Sequence, residues 1–143
     1  MRIVVVAPFY PANAFRFLVD AFERKGHHIV RMGPTYNDHG SIDWGNDRVV
    51  VDRELPRQTP EWNFDELIDG CTKCCGSPDL LLVSEENYQT AIRPTTKIPT
   101  VLISYDGWPN AYARRALFQP NHAYTNHPYG IRIHPQETIP SGW

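Results

Sequence analysis

Residues 2–7 (RIVVVA) form an unbroken run of mostly β-branched apolar side chains behind one arginine. Without polar alternation, such a run suits a strand covered on both faces, as in a parallel sheet. After the turn Pro8-Phe9-Tyr10-Pro11 the period lengthens. Phe15, Leu18, Val19 and Phe22 recur at helical spacing, with Arg16, Asp20, Glu23 and Arg24 opposite, which predicts an amphipathic helix ending near Lys25. Gly26 is its expected stop, and residues 28–32 (HIVRM) give a second strand. This strand–helix–strand unit has the size of a βαβ crossover.

Residues 33–46 are turn-rich, and residues 48–51 (RVVV) read as a third strand. Asn63, with Glu66 three residues later, marks a helix start with a capping box. Phe64, Leu67, Ile68, Cys71 and Cys75 make the apolar stripe of that helix, and Gly76 ends it. Residues 80–83 (LLLV) and 99–104 (PTVLIS) predict fourth and fifth strands, followed by short helices over 86–92 and 109–118. Residues 123–126 and 137–139 predict two more strands. This alternation points to an α/β fold: a single Rossmann-like three-layer domain over residues 1–143, with an open, mostly parallel sheet of about six to seven strands. Its segment 119–143 is loop-rich.

Composition sharpens this in a few places. The chain has 143 residues, 41% apolar and 21% charged, with a net charge of −2 from 14 basic and 16 acidic residues. Without a basic tail or stripe, nucleic acid is not an expected partner. Thirteen prolines imply structured loops. No stretch approaches the ~20 apolar residues of a membrane span. The opening MRIVVVAPFYPANA has a short apolar run and an Ala-Asn-Ala that mimics a cleavage site, but Pro8 ends the run too early for a secretory signal. The expected compartment is the cytoplasm.

In open α/β sheets ligands lie beyond the carboxyl ends of the strands. That rule selects Pro8-Phe9-Tyr10 after the first strand, Ser84-Glu85-Glu86-Asn87 after the fourth, Tyr105-Asp106-Gly107-Trp108 after the fifth, and Asn126-His127-Pro128-Tyr129 after the sixth. Aromatic faces, carboxylates, amides and an imidazole suit a polyhydroxylated or aromatic ligand, with Phe9, Tyr10, Glu85, Trp108 and Tyr129 as binding residues. Asp106 and His127 are the candidate general bases, each able to take a proton from an acceptor hydroxyl. Structural roles compete for some of these residues. Asp106 can cap the next helix, Trp108 can plug the sheet end, and Glu85 and Glu86 can start a helix where carboxylates favour the dipole.

The first turn, APFYPANAF, contains neither GxGxxG nor GxxxxGK[ST], which argues against a dehydrogenase and an NTPase. No acidic cluster follows the first strand, as a response regulator would need, and no GxSxG marks a hydrolase. The three cysteines, Cys71, Cys74 and Cys75, fall in one run, CTKCC, and their odd number argues against a disulfide framework. Cys71 and Cys74 with His122 and His127 form a superficial Cys2His2 pattern. Core packing is the expectation instead, since Cys71 and Cys75 lie on the helix stripe. No metal site is expected.

Taken in order, RIVVVAP, a helix ending KGHHIVRMG, PDLLLVSE and IPTVLISYDGWPN resemble the amino-terminal half of a GT-B glycosyltransferase of the spore-maturation-type, family-1-like group. The stretch NHAYTNHPYGIRIHPQETIPSGW is similar to the close of that first domain. The resemblance implies an acceptor-side half, with Phe9, Tyr10, Asp106, Trp108 and His127 facing the cleft. It implies no resident cofactor, and a nucleotide sugar only where a donor domain is supplied in trans. The tail ETIPSGW (137–143) is then expected to be the last strand and exit turn before the hinge. The alternative is a non-catalytic binding or assembly module on the same fold, such as a phage or virion component. In either case the C-terminal segment is the expected surface for a protein partner or a second copy.

Overall fold

The computed structural model describes residues 1–36, 47–56, 63–84, 95, 97–104 and 122–125. Its elements in chain order are β1 (Arg2–Val6), α1 (Ala14–Arg24), β2 (His28–Gly33), β3 (Arg53–Glu54), α2 (Phe64–Cys75), β4 (Leu80–Ser84), β5 (Thr100–Ser104) and β6 (His122–Thr125). The strands form one sheet in the order β3-β2-β1-β4-β5-β6, and every pairing is parallel. Five strands have four to six residues, whereas β3 is a two-residue pairing at one edge. This is the order of a doubly wound sheet, in which the chain reverses direction between β1 and β4. The strand expected over 137–139 and the helices expected over 86–92 and 109–118 lie outside the described residues.

Strand alternation divides the apolar side chains between two cores. Val4, Val6, Val30, Met32, Leu81, Val83 and Leu102 face α2 and pack with Phe64, Leu67, Ile68 and Cys71. Ile3, Val5, Ile29 and Leu82 face the other way and pack with Phe15 and Val19 of α1. With helices on opposite faces, β1 and β4 have no solvent side, which is why their sequences lack polar alternation. Burial of side chains such as Phe15 and Val19, both at 0% exposure, stabilises the fold by about 1.5–3 kcal/mol each.

Both helices begin on asparagine and end before a glycine with positive φ: Gly26 at 81° and Gly76 at 89°. Asn63 accepts from the Asp65 and Glu66 amides, as its sequence signature predicts. Its partner differs in detail from a reciprocal capping box, because Glu66 Oε1 accepts from the Asn63 side-chain amide at 3.0 Å rather than from its backbone.

The third strand is displaced from its expected place. Residues 48–51 join no ladder, and pairing with β2 occurs only at Met32↔Arg53 and Gly33↔Glu54. The reason lies next to Arg31. Its backbone N–H donates to the Asp52 carboxylate at 2.7 Å, while the Asp52 N–H donates to the Arg31 carbonyl at 2.9 Å. A side chain thus replaces a strand carbonyl, and the ladder starts one residue later. Val49 turns into the α1-side core and Val50 stands 80% exposed, so this β-branched run follows the pull of burial rather than strand propensity.

Candidate functional site

All carboxyl ends of a parallel sheet share one edge, and the first turn dominates what is described there. The chain does not turn at Pro8. The Ala7 N–H donates to Met32 O at 3.1 Å, Phe9 N–H to Pro34 O at 2.8 Å and Tyr36 N–H to Phe9 O at 2.9 Å. An isolated parallel bridge pairs Phe9 with Thr35. Extended pairing therefore continues past the end of β1 and keeps its two-residue period. Ile3, Val5, Ala7 and Phe9 all fall on the α1 side as a result, and Phe9 has 0% exposure in that core. The expected ligand-facing ring of Phe9 is a core side chain. The reversal comes later, as a turn closed by Asn13 N–H on Tyr10 O at 2.9 Å, with Pro11 supplying the fixed φ such a turn favours at its second position.

Asn13 locks this turn to the helix. Its Oδ1 accepts from the Phe15 amide at 2.7 Å, and its Nδ2 donates to Pro8 O at 2.9 Å. At 1% exposure the side chain exchanges these bonds with little water, so each is costly to lose. Gly33 makes the approach of the two chains possible. A Cβ there would run into the Ala7 carbonyl, so the β1 and β2 extensions can lie this close only with glycine.

Around this turn stands a rim of aromatic and hydroxyl groups. Tyr10 meets Tyr36 edge to face, with centroids 6.3 Å apart and planes at 87°, a favoured aromatic geometry. Thr35 donates from its backbone amide (3.1 Å) and its hydroxyl (2.7 Å) to Glu54 Oε1 at the end of β3. Ser84, fully buried, closes β4 on the other side of the switch point. Among the expected site residues, Tyr10 is half-buried on this rim. Glu85, Asp106, Trp108, His127 and Tyr129 lie outside the described residues. Sequence reasoning missed Asn13, Thr35, Tyr36 and Glu54. The signal was present for Asn13, an asparagine immediately before a helical apolar stripe. The other three come together only through the Phe9–Thr35 bridge and the displaced β3.

The cysteines occupy the far end of α2. Cys71 is in the core, and Cys75 packs against it half-buried. Burial pushes the Cys71 thiol up. A 3.0 Å contact with Cys74 Sγ pushes Cys75 up to about 11, as the first of several causes. Both thiols therefore stay protonated at neutral pH. Among the described residues no group of three or more His, Cys, Asp or Glu side chains could hold a metal ion, and no helix is long and apolar enough to cross a membrane.

Comparisons with protein-family models, with curated proteins and with solved structures give no significant match.

Proposed function

We propose that this chain is the acceptor-side half of a GT-B-like glycosyltransferase, recognising a polyhydroxylated acceptor at the carboxyl edge of its sheet. The observation that carries the reading is the first turn. In nucleotide-binding relatives of the doubly wound sheet this turn presents free amides and glycines to a pyrophosphate. In this chain the amides of Ala7, Phe9 and Asn13 are engaged with backbone carbonyls, and Pro8 and Pro11 have none. The turn offers tyrosine surface beside threonine and carboxylate instead, and this chemistry suits sugar rings and hydroxyls better than phosphates. Asp106 and His127 are the proposed bases that would take the acceptor proton, with Glu85, Trp108 and Tyr129 around the acceptor.

The test is to incubate the whole chain with labelled nucleotide sugars and a panel of glycan acceptors, alone and with separately produced GT-B donor domains. Expected are glycan binding by the chain alone and transfer in the reactions that contain a donor domain, lost in Asp106→Asn or His127→Ala. Glycan binding with no transfer in any pairing would reduce the protein to a binding or assembly module. Absence of glycan binding would remove the acceptor-side reading altogether.

A further inference from the structure

A cavity opens on the α1 face of the sheet, reaching from Phe9 beside the carboxyl-edge turn to residues 48–52. Its volume is about 360 Å³, within the range of about 300–1,000 Å³ usual for small-molecule sites. Phe9 and Val49, at 0% and 9% exposure, lie beneath it, and residues 48–52 line it. Residues 48–51, which join no ladder, run along this cavity.

Three arginines line the cavity: Arg16 from α1, Arg31 from β2 and Arg48 from segment 48–52. Arg16 uses Nη1 on Pro11 O at 2.9 Å and Asp47 Oδ2 at 2.7 Å. Arg31 uses Nη2 on Glu23 Oε2 at 2.6 Å. Those contacts orient both side chains and leave most of their N–H donors uncommitted. Arg48 makes no ion pair among the described residues. Of the two carboxylates on the lining, Asp52 is held by the Arg31 amide and Asp20 faces Arg16 electrostatically. With Asp47 on Arg16 and Glu23 on Arg31, Arg48 is the lining cation that is not already paired among the described residues.

We infer that this cavity binds a small organic anion, a carboxylate or phosphate carried on an apolar or aromatic body, with Arg48 and Arg31 taking the anionic group and Val50 and Val51 beside the body. Planar forks of N–H donors match both kinds of oxyanion, and the neighbouring Val50 and Val51 distinguish such a ligand from a free inorganic ion. The site adjoins the carboxyl-edge turn at Phe9, but its chemistry stands whether or not the chain takes part in sugar transfer.

NMR of the whole chain tests it, with Val methyl and Arg Nε signals followed during titration. The probes are benzoate and phenyl phosphate, with benzyl alcohol as the neutral analogue and inorganic phosphate as the bare head group. Benzoate or phenyl phosphate should shift the Val49 and Val51 methyls and Arg48 Nε saturably, and the tighter of the two identifies the preferred head group. Benzyl alcohol should bind at least tenfold more weakly. Arg48→Gln, at an exposed position, should weaken the anion about tenfold without changing thermal stability. Asp20→Asn should tighten it by removing a like charge. Methyl signals that stay still with both aromatic anions overturn the inference. So do equal binding of benzyl alcohol, or Arg Nε shifts with inorganic phosphate alone, which would be surface ion pairing only.

Discussion

Helices α1 and α2 start on the same residue type, yet the two asparagines do different work. Asn63 is exposed and its bonds stay within the first turn of α2, to Asp65, Glu66 and the Glu66 side chain. Asp65 and Glu66 there also supply negative charge to the helix N-terminus, whereas α1 has no acidic residue in its first turn. Asn13 is buried and reaches beyond its helix, holding Pro8 O with one end and the helix with the other. One residue type in one local conformation is thus a helix start in α2 and the clasp of the carboxyl-edge turn in α1. The lesson is that cap chemistry is readable from sequence, while what else a cap holds depends on where the neighbouring strand puts its carbonyls.

The largest expected break in this contrast comes from Gly33→Ala. The new Cβ must push the Ala7 carbonyl away and part the extensions of β1 and β2. A loss of at least about 3 kcal/mol in denaturant unfolding is expected, and a loss under 1 kcal/mol would mean that the turn is not held as described. Next is the pair of caps. Asn13→Ala removes a helix cap and leaves the Pro8 carbonyl without that partner, for about 2–3 kcal/mol. Asn63→Ala removes an exposed cap, for about 1 kcal/mol or less. Equal losses from the two substitutions would erase the distinction.

The smallest effect concerns the other end of α2. Because Cys75 has its pKa raised from 9.0 to about 11, the folded chain holds that proton where the unfolded chain releases it. The associated stability is complete below pH 9.0 and is lost as the pH rises towards about 11. Cys75→Ser should therefore flatten the decline in stability across that alkaline window while leaving neutral-pH behaviour nearly unchanged. An unaltered alkaline decline in the variant would remove Cys75 from the account.

Much of the fold was legible because burial on both faces leaves a simple mark. The apolar runs of β1, β4 and β5 and the stripes of α1 and α2 fell where periodicity put them, and both helix stops fell on glycine. Two features were not legible, for related reasons. Phe9 looked like a loop residue because Pro8 is a strong turn signal, but the strand period continued through it once residues 34–36 supplied partners. Residues 48–51 looked like a strand because valine favours sheets, but Asp52 took the amide that a strand would have used. Each outcome depends on a long-range contact that local pattern does not encode. The same holds for the rim, where Tyr10, Tyr36, Thr35 and Glu54 come from three separate stretches of sequence.

The central proposal is that the carboxyl edge around the first turn recognises hydroxyl-rich ligands rather than nucleotide phosphates. Amide chemical-shift titration of residues 7–13 and 33–36, with glycans in one series and nucleotide sugars in the other, tests this directly. The account predicts saturable shifts at Tyr10, Thr35 and Tyr36 with a glycan, and unmoved amides at Ala7, Phe9 and Asn13 with every nucleotide sugar. Nucleotide-induced shifts centred on those three amides, with the rim silent towards glycans, would contradict it.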